Sequence, residues 1–301
     1  MPKSIRLFHK TTGLNNVNSP FTGEFEPSQG ITDLSVAVNV CVTNDGKIER
    51  RPGITALSIT SSCHSLFSGR NGVFYVKGSN LYCYNDGGTS TLITTGLLPA
   101  YVSFCEVQDK TYYCNGFQKG YVKDNKSYAW TVGEYVGPAT YRTFTDPPTG
   151  HFLGLYRGRL YVAKDTTLWF SEPFSYSAFD KGRNYIWFEY PVTVFYPVED
   201  GIYVSTDKVY FLRGAQPDEF SMSVVSDYPI VGRTGVVIDG ETIPGISYAG
   251  KSMIWTSRAG IYLGLGNGQV KNLTTSKIKL PAVVDGCAVY CDNKYLTFLR
   301  E

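Results

Sequence analysis

VFYVKGSNLYCY, residues 73–84, reads as a strand, a tight turn and a second strand. Phe74 and Tyr75 mark the first strand, Gly78, Ser79 and Asn80 tolerate the reversal, and Tyr82 and Tyr84 mark the return. The same layout recurs in KTYYCNGFQKGYV (110–122), RLYVAKDTTLWFS (159–171), IYVSTDKVYFL (202–212), KSMIWTSRAGIYLG (251–264) and CAVYCDNKYLTFL (287–299). Helical periodicity is nearly absent. The starts are spaced by about 43 residues on average, within the ~40–50 residues of a β-propeller blade. One hairpin cannot bury its own apolar face, and radial stacking of blades supplies the core. The competing arrangement is a β-sandwich with irregularly spaced hairpins, and the near-constant period favours the propeller. Five to seven blades fit the count.

Residues before 61 have a different texture. LNNVNSPFTGEFEPSQG (14–30) is rich in Asn, Pro, Gly and Ser, so an extended arm is expected. SVAVNVCV (35–42) alternates as a strand, Asn44-Asp45-Gly46 signals a hairpin turn, and Lys47–Arg50 would return. Pro52 has no backbone donor and should end that strand. The expected fold is therefore all-β: a propeller of about six blades over 61–301, behind an arm and β-hairpin over 1–60. That first unit would complete the propeller or contact neighbours.

Composition narrows the function classes. The chain has 301 residues, 23 Tyr, 17 Phe, 31 Gly and a formal charge of only +2, which suits half-buried sheets and turns. A protein that wraps DNA through its phosphates is usually more basic. No run approaches the ~18 apolar residues of a membrane span. The opening MPKSIRLFHKTTG lacks the apolar core of a secretion signal. The seven cysteines (Cys41, Cys63, Cys83, Cys105, Cys114, Cys287 and Cys291) are accordingly expected as reduced thiols in a protein made in a cytosol.

The arm GLNNVNSP followed by AVNVCVTNDGKIERRPGI resembles a layout of short-tailed bacteriophage tail proteins, the β-propeller nozzle, tubular or hub proteins of the virion. The specific part covers residues 13–53. LWFSEPFSYSAFD (168–180) and IWTSRAGIYLGLGNGQVKNLT (254–274) are similar to blade passages of the same proteins. The resemblance implies a virion structural protein made in the host cytoplasm. It would form a homo-hexameric ring below the portal and adaptor. Packaged genomic DNA would be retained in its lumen and conducted through it on ejection, without sequence-specific binding. On that reading Asn15, Asn16, Arg50 and Arg51 would lie at inter-subunit contacts, one arginine paired within its own subunit and the other facing a neighbour's carboxylate. The long segments 133–150 and 213–245 would serve as contact loops.

Signals for chemistry are weak. His9, His64 and His151 have no HExxH or HxH spacing, and no CxxC pair occurs. GLGNGQ (264–269) sits between strand-like pieces and reads as a hairpin turn. Among the acidic residues, Glu172, Asp180, Glu189, Glu199, Asp200, Asp218 and Glu219 lack the spacing of a glycosidase pair. Lys119, Lys123 and Lys126, interleaved with Tyr121 and Tyr128, read as a solvated blade edge more readily than as a strand-binding platform. The expectation is no enzyme, no cofactor and no metal. The alternative function is a propeller binding module for a glycan or protein receptor, using Tyr176, Phe179 and Tyr185. A glycan-active enzyme resting on Glu172 or Asp180 is a third, weaker reading.

Overall fold

The computed structural model describes residues 11, 13–17, 25–26, 30–31, 33–43, 45–53, 63–85, 88–138, 141–243, 248–274, 277–280 and 282–301. Five four-stranded antiparallel sheets follow one another, each with its strands paired in chain order. Blade I comprises Cys63–Gly69, Gly72–Lys77, Asn80–Tyr84 and Ser90–Thr94. Blade II comprises Ser103–Val107, Lys110–Cys114, Lys119–Lys123 and Lys126–Ala129. Blade III comprises Phe152–Tyr156, Arg159–Lys164, Thr167–Phe170 and Tyr185–Trp187. Blade IV comprises Val194–Pro197, Gly201–Ser205, Val209–Arg213 and Ser221–Ser226. Blade V comprises Val236–Asp239, Lys251–Ser257, Gly260–Gly264 and Val270–Asn272. First strands of successive blades lie against one another, so they are innermost and fourth strands are outermost. This is a β-propeller.

In the first five hairpins recognised from sequence, the paired strands are the second and third of a blade. The second strands are the parts buried on both faces: every residue of Gly201–Ser205 is buried, whereas third strands such as Thr167–Phe170 alternate buried and half-buried. A separate apolar cluster fills each interface. Phe74 and Leu81 meet Tyr113 and Val122 between blades I and II. Tyr112 and Trp130 meet Leu160 and Phe179 between II and III. Tyr161 and Leu168 meet Phe195 and Ile202 between III and IV. Tyr203 and Phe211 meet Met253 and Trp255 between IV and V. The approach is close: a Cβ on Gly154, on the inner strand of blade III, would stand 2.6 Å from Cε2 of Phe195.

The sixth hairpin pairs Asp285–Cys291 with Lys294–Arg300 and has no further strands among the described residues. Its burial alternates. Tyr290 and Tyr295 pack on Ile238, Ile254 and Leu263 of blade V, and the Tyr295 hydroxyl donates to the Thr234 carbonyl at 2.7 Å. Its other face leaves Cys287, Val289, Leu296 and Phe298 exposed. Among the described residues no apolar cluster joins this hairpin to blade I, where Leu66 is 76% exposed. Among the described residues the ring has five filled interfaces and one open seam.

Three expectations are corrected. Segment 213–245 is not one loop: it carries the outer strand of blade IV and the inner strand of blade V. SMSVVS hid the former because four of its six residues are exposed and three are serines. The alternating run 35–42 is a strand only at Val40–Val42. Phe179, expected on an exposed binding loop, is fully buried against Trp130.

Candidate functional site

The arm is strapped to the body. Gly13–Leu14 pairs in parallel with Asp33–Leu34. Asn15 is buried, and its side-chain amide donates to Asp33 Oδ2 at 2.9 Å. Asn16 makes a reciprocal pair with Lys279: Nδ2 donates to the Lys279 carbonyl at 3.0 Å, and the Lys279 amide donates to Asn16 Oδ1 at 2.7 Å. Lys277 Nζ lies 3.5 Å from Asp33 Oδ1. Asn16 thus holds the arm onto the segment between blade V and the last hairpin, while Asn15 ties the arm to itself through Asp33, the carboxylate that Lys277 approaches.

Further along the arm, Val40–Val42 forms a hairpin with Ile48–Arg50, in register Val40↔Arg50 and Val42↔Ile48. The Gly46 amide closes the turn on the Thr43 carbonyl at 2.9 Å, and Asp45 pairs with Lys47 at 2.6 Å. The strand ends at Arg50, before Pro52. Arg50 and Arg51 are both exposed, and neither side chain makes an ion pair with a described carboxylate. Val36 and Val38 beside them are 73% and 71% exposed.

The acidic pair from 168–180 has a different character from the arm. Blade III links its third and fourth strands through residues 171–184, which fold back on connector 130–151. Glu172 is buried, with Arg142 Nη2 2.5 Å from Oε1 and Asn184 Nδ2 donating to the same oxygen at 2.6 Å. Arg142 Nε reaches Asp180 Oδ2 at 2.9 Å, and Arg159 Nη1 stands 3.9 Å from Glu172 Oε2. Burial alone would raise the Asp180 pKa, but Arg142 and the Gly182 amide outweigh it and leave the group below the ordinary carboxylate range. Two carboxylates on one guanidinium make a clasp between connector and blade.

The inner mouth of the ring gathers a third group. In a four-stranded meander, the turn between strands two and three and the connector to the next blade fall at the same end. Tyr101, His151 and Arg233 all lie on such connectors, and His64 opens blade I. The Arg233 guanidinium stacks on the Tyr101 ring at 4.0 Å from its centroid. His64 meets the same ring edge-on at 5.5 Å. The Arg233 charge is felt by His64 of blade I, His151 before blade III and Tyr196 of blade IV, which puts it close to the axis. Burial, then Arg233, lowers the His64 pKa; burial also lowers that of His151 although backbone carbonyls oppose it.

The other sequence candidates fall elsewhere. His9 lies outside the described residues. Cys83, Cys105 and Cys114 are buried, and burial pushes the Cys105 thiol up to about 12. Cys287 and Cys291 share the exposed face of the last hairpin. Among the described residues no cluster of His, Cys, Asp and Glu is arranged to hold a metal. GLGNGQ is the turn between the third and fourth strands of blade V. Tyr121 and Tyr128 stack at 5.3 Å across the outer strands of blade II, with Lys123 paired to Asp109 at 2.6 Å. Sequence reading passed over Arg142, Tyr101 and Arg233, because their partners come from distant segments.

Fold and axial mouth together define a β-propeller with a half-buried cation at one end of its axis. No protein-family model matches the sequence, and neither does any curated protein. Solved structures do. The chain is similar to BBS1N in its complex with ARL6DN, with 12% identity, TM-score 0.53, and coverage of 86% of this chain and 83% of that one. Weaker similarities include the N-terminal domain of Nup159, with 12% identity, TM-score 0.48 and coverage of 85% and 75%. Another is virginiamycin B lyase from Staphylococcus aureus, with 12% identity, TM-score 0.45 and coverage of 89% and 87%. At such identities the shared property is the fold alone.

Proposed function

We propose that this chain is a structural protein of a bacteriophage tail, a nozzle or hub subunit whose homo-hexameric ring extends the portal–adaptor channel. The ring retains packaged DNA and conducts it during ejection. The observation that carries the reading is the arm: Asn16 and the Asp33–Lys277 pair tie it to the body, while Val36, Val38, Arg50 and Arg51 remain exposed on or beside its hairpin. Exposed apolar side chains next to exposed arginines suit a protein–protein contact. The phage assignment itself rests on the resemblance of residues 13–53. Quantitative mass spectrometry of purified virions from the source tests it. About six copies per particle, or a small multiple, supports the ring, and absence from particles removes it.

A second reading has its own observation. Tyr101, Phe117, Tyr190 and Tyr228 are exposed at the connector end, where a propeller binding module would receive a glycan or a protein. A glycan array separates the two readings.

A further inference from the structure

We propose that the axial mouth is a binding site for a compact oxyanion, a carboxylate or phosphate group, held by Arg233 against the face of Tyr101. This goes beyond the tail assignment and does not depend on it.

The backbone of Arg233 is committed, since its amide donates to the Gly286 carbonyl at 3.0 Å. Among the described residues its guanidinium makes no hydrogen bond and no ion pair; its partner is the Tyr101 ring. Half-buried guanidinium groups elsewhere are spoken for. Arg142 is divided between Glu172 and Asp180, and Arg159 donates to the Ser171 carbonyl at 2.9 Å. The carboxylate whose charge reaches Arg233 is Asp285, and it is engaged: its Oδ1 accepts from the Gly286 amide at 2.9 Å, and its Oδ2 stands 3.6 Å from Arg300.

Geometry then selects the ligand. A ring over one face of a guanidinium leaves the in-plane N–H edge free, and that edge matches two oxygens of a carboxylate or phosphate. Stacking also fixes the fork in place, so less side-chain freedom is lost on binding. His64 lies edge-on to the same tyrosine, and both His64 and His151 lie within the field of Arg233. An arriving anion therefore changes the surroundings of two imidazoles on different blades.

The experiment is an NMR titration of the whole chain, following the ring signals of His64 and His151, with inorganic phosphate in one series and acetate in another at constant ionic strength. Saturable shifts are expected, with affinity falling about tenfold or more in Arg233→Gln. The series that saturates at lower concentration tells whether phosphate or carboxylate is the better source. Shifts that never saturate, or that persist unchanged in Arg233→Gln, overturn the proposal. If Arg233→Gln fails to fold, Arg233→Lys replaces it: the charge stays but the fork is lost, so weaker binding supports the site and equal binding to the parent overturns it.

Discussion

Arg142 is the residue whose loss should be felt most. Removing it leaves Glu172 buried with only Arg159 at 3.9 Å and the Asn184 amide to answer its charge. Arg142→Ala should therefore lower unfolding free energy on the order of 3 kcal/mol, measured by chemical denaturation. A second residue-scale effect depends on pH. His64 and His151 have folded pKa values below the ordinary 6.5, so below that pH the unfolded chain binds more protons than the folded one. Their stabilising contribution is complete above 6.5 and is lost as pH falls through the folded values. Melting temperature should drop on acidification from pH 7 toward 5, and the drop should shrink in His151→Gln. Asp180 acts later, because its depressed pKa makes it lose stability only as pH falls below the ordinary 3.8.

Among the elements, the middle hairpins were legible because their second strands are buried on both faces and they carry apolar–aromatic or aromatic pairs such as Leu160-Tyr161 and Trp169-Phe170. Outer strands were not: KSYA and SMSVVS have mostly exposed side chains, so no apolar alternation marks them. Of the sites, the exposed arginines at the hairpin end could be read locally from Arg-Arg-Pro-Gly. Arg233 could not, since nothing in DYPIVGR announces a ring from the far side of the axis. The inner strands give a direct test of how tightly blades meet. Gly154→Ala puts a methyl against Phe195 and should cost about 1–3 kcal/mol. The same change at exposed Gly53, where a Cβ meets nothing within 4 Å, should be nearly neutral. Equal losses at the two positions would contradict the close approach of blades III and IV.

For the molecule as a whole, five apolar interfaces in series make a nearly one-dimensional array, in which each blade leans on its neighbours. Blades III and IV are flanked on both sides, while among the described residues blade I and the last hairpin each have a single filled interface. Hydrogen exchange should therefore be slowest in the second strands of blades III and IV, Arg159–Lys164 and Gly201–Ser205. It should quicken toward Cys63–Gly69 and Lys294–Arg300. Uniform protection around the ring would argue against a seam. The seam also has a mechanical meaning. A closed hoop pulled at two points shares the load around its circumference and gives way at once. A slit hoop concentrates the load at its lips, so a chain stretched between Cys63 and Arg300 should lengthen in successive blade-sized steps, peeling inward from the slit.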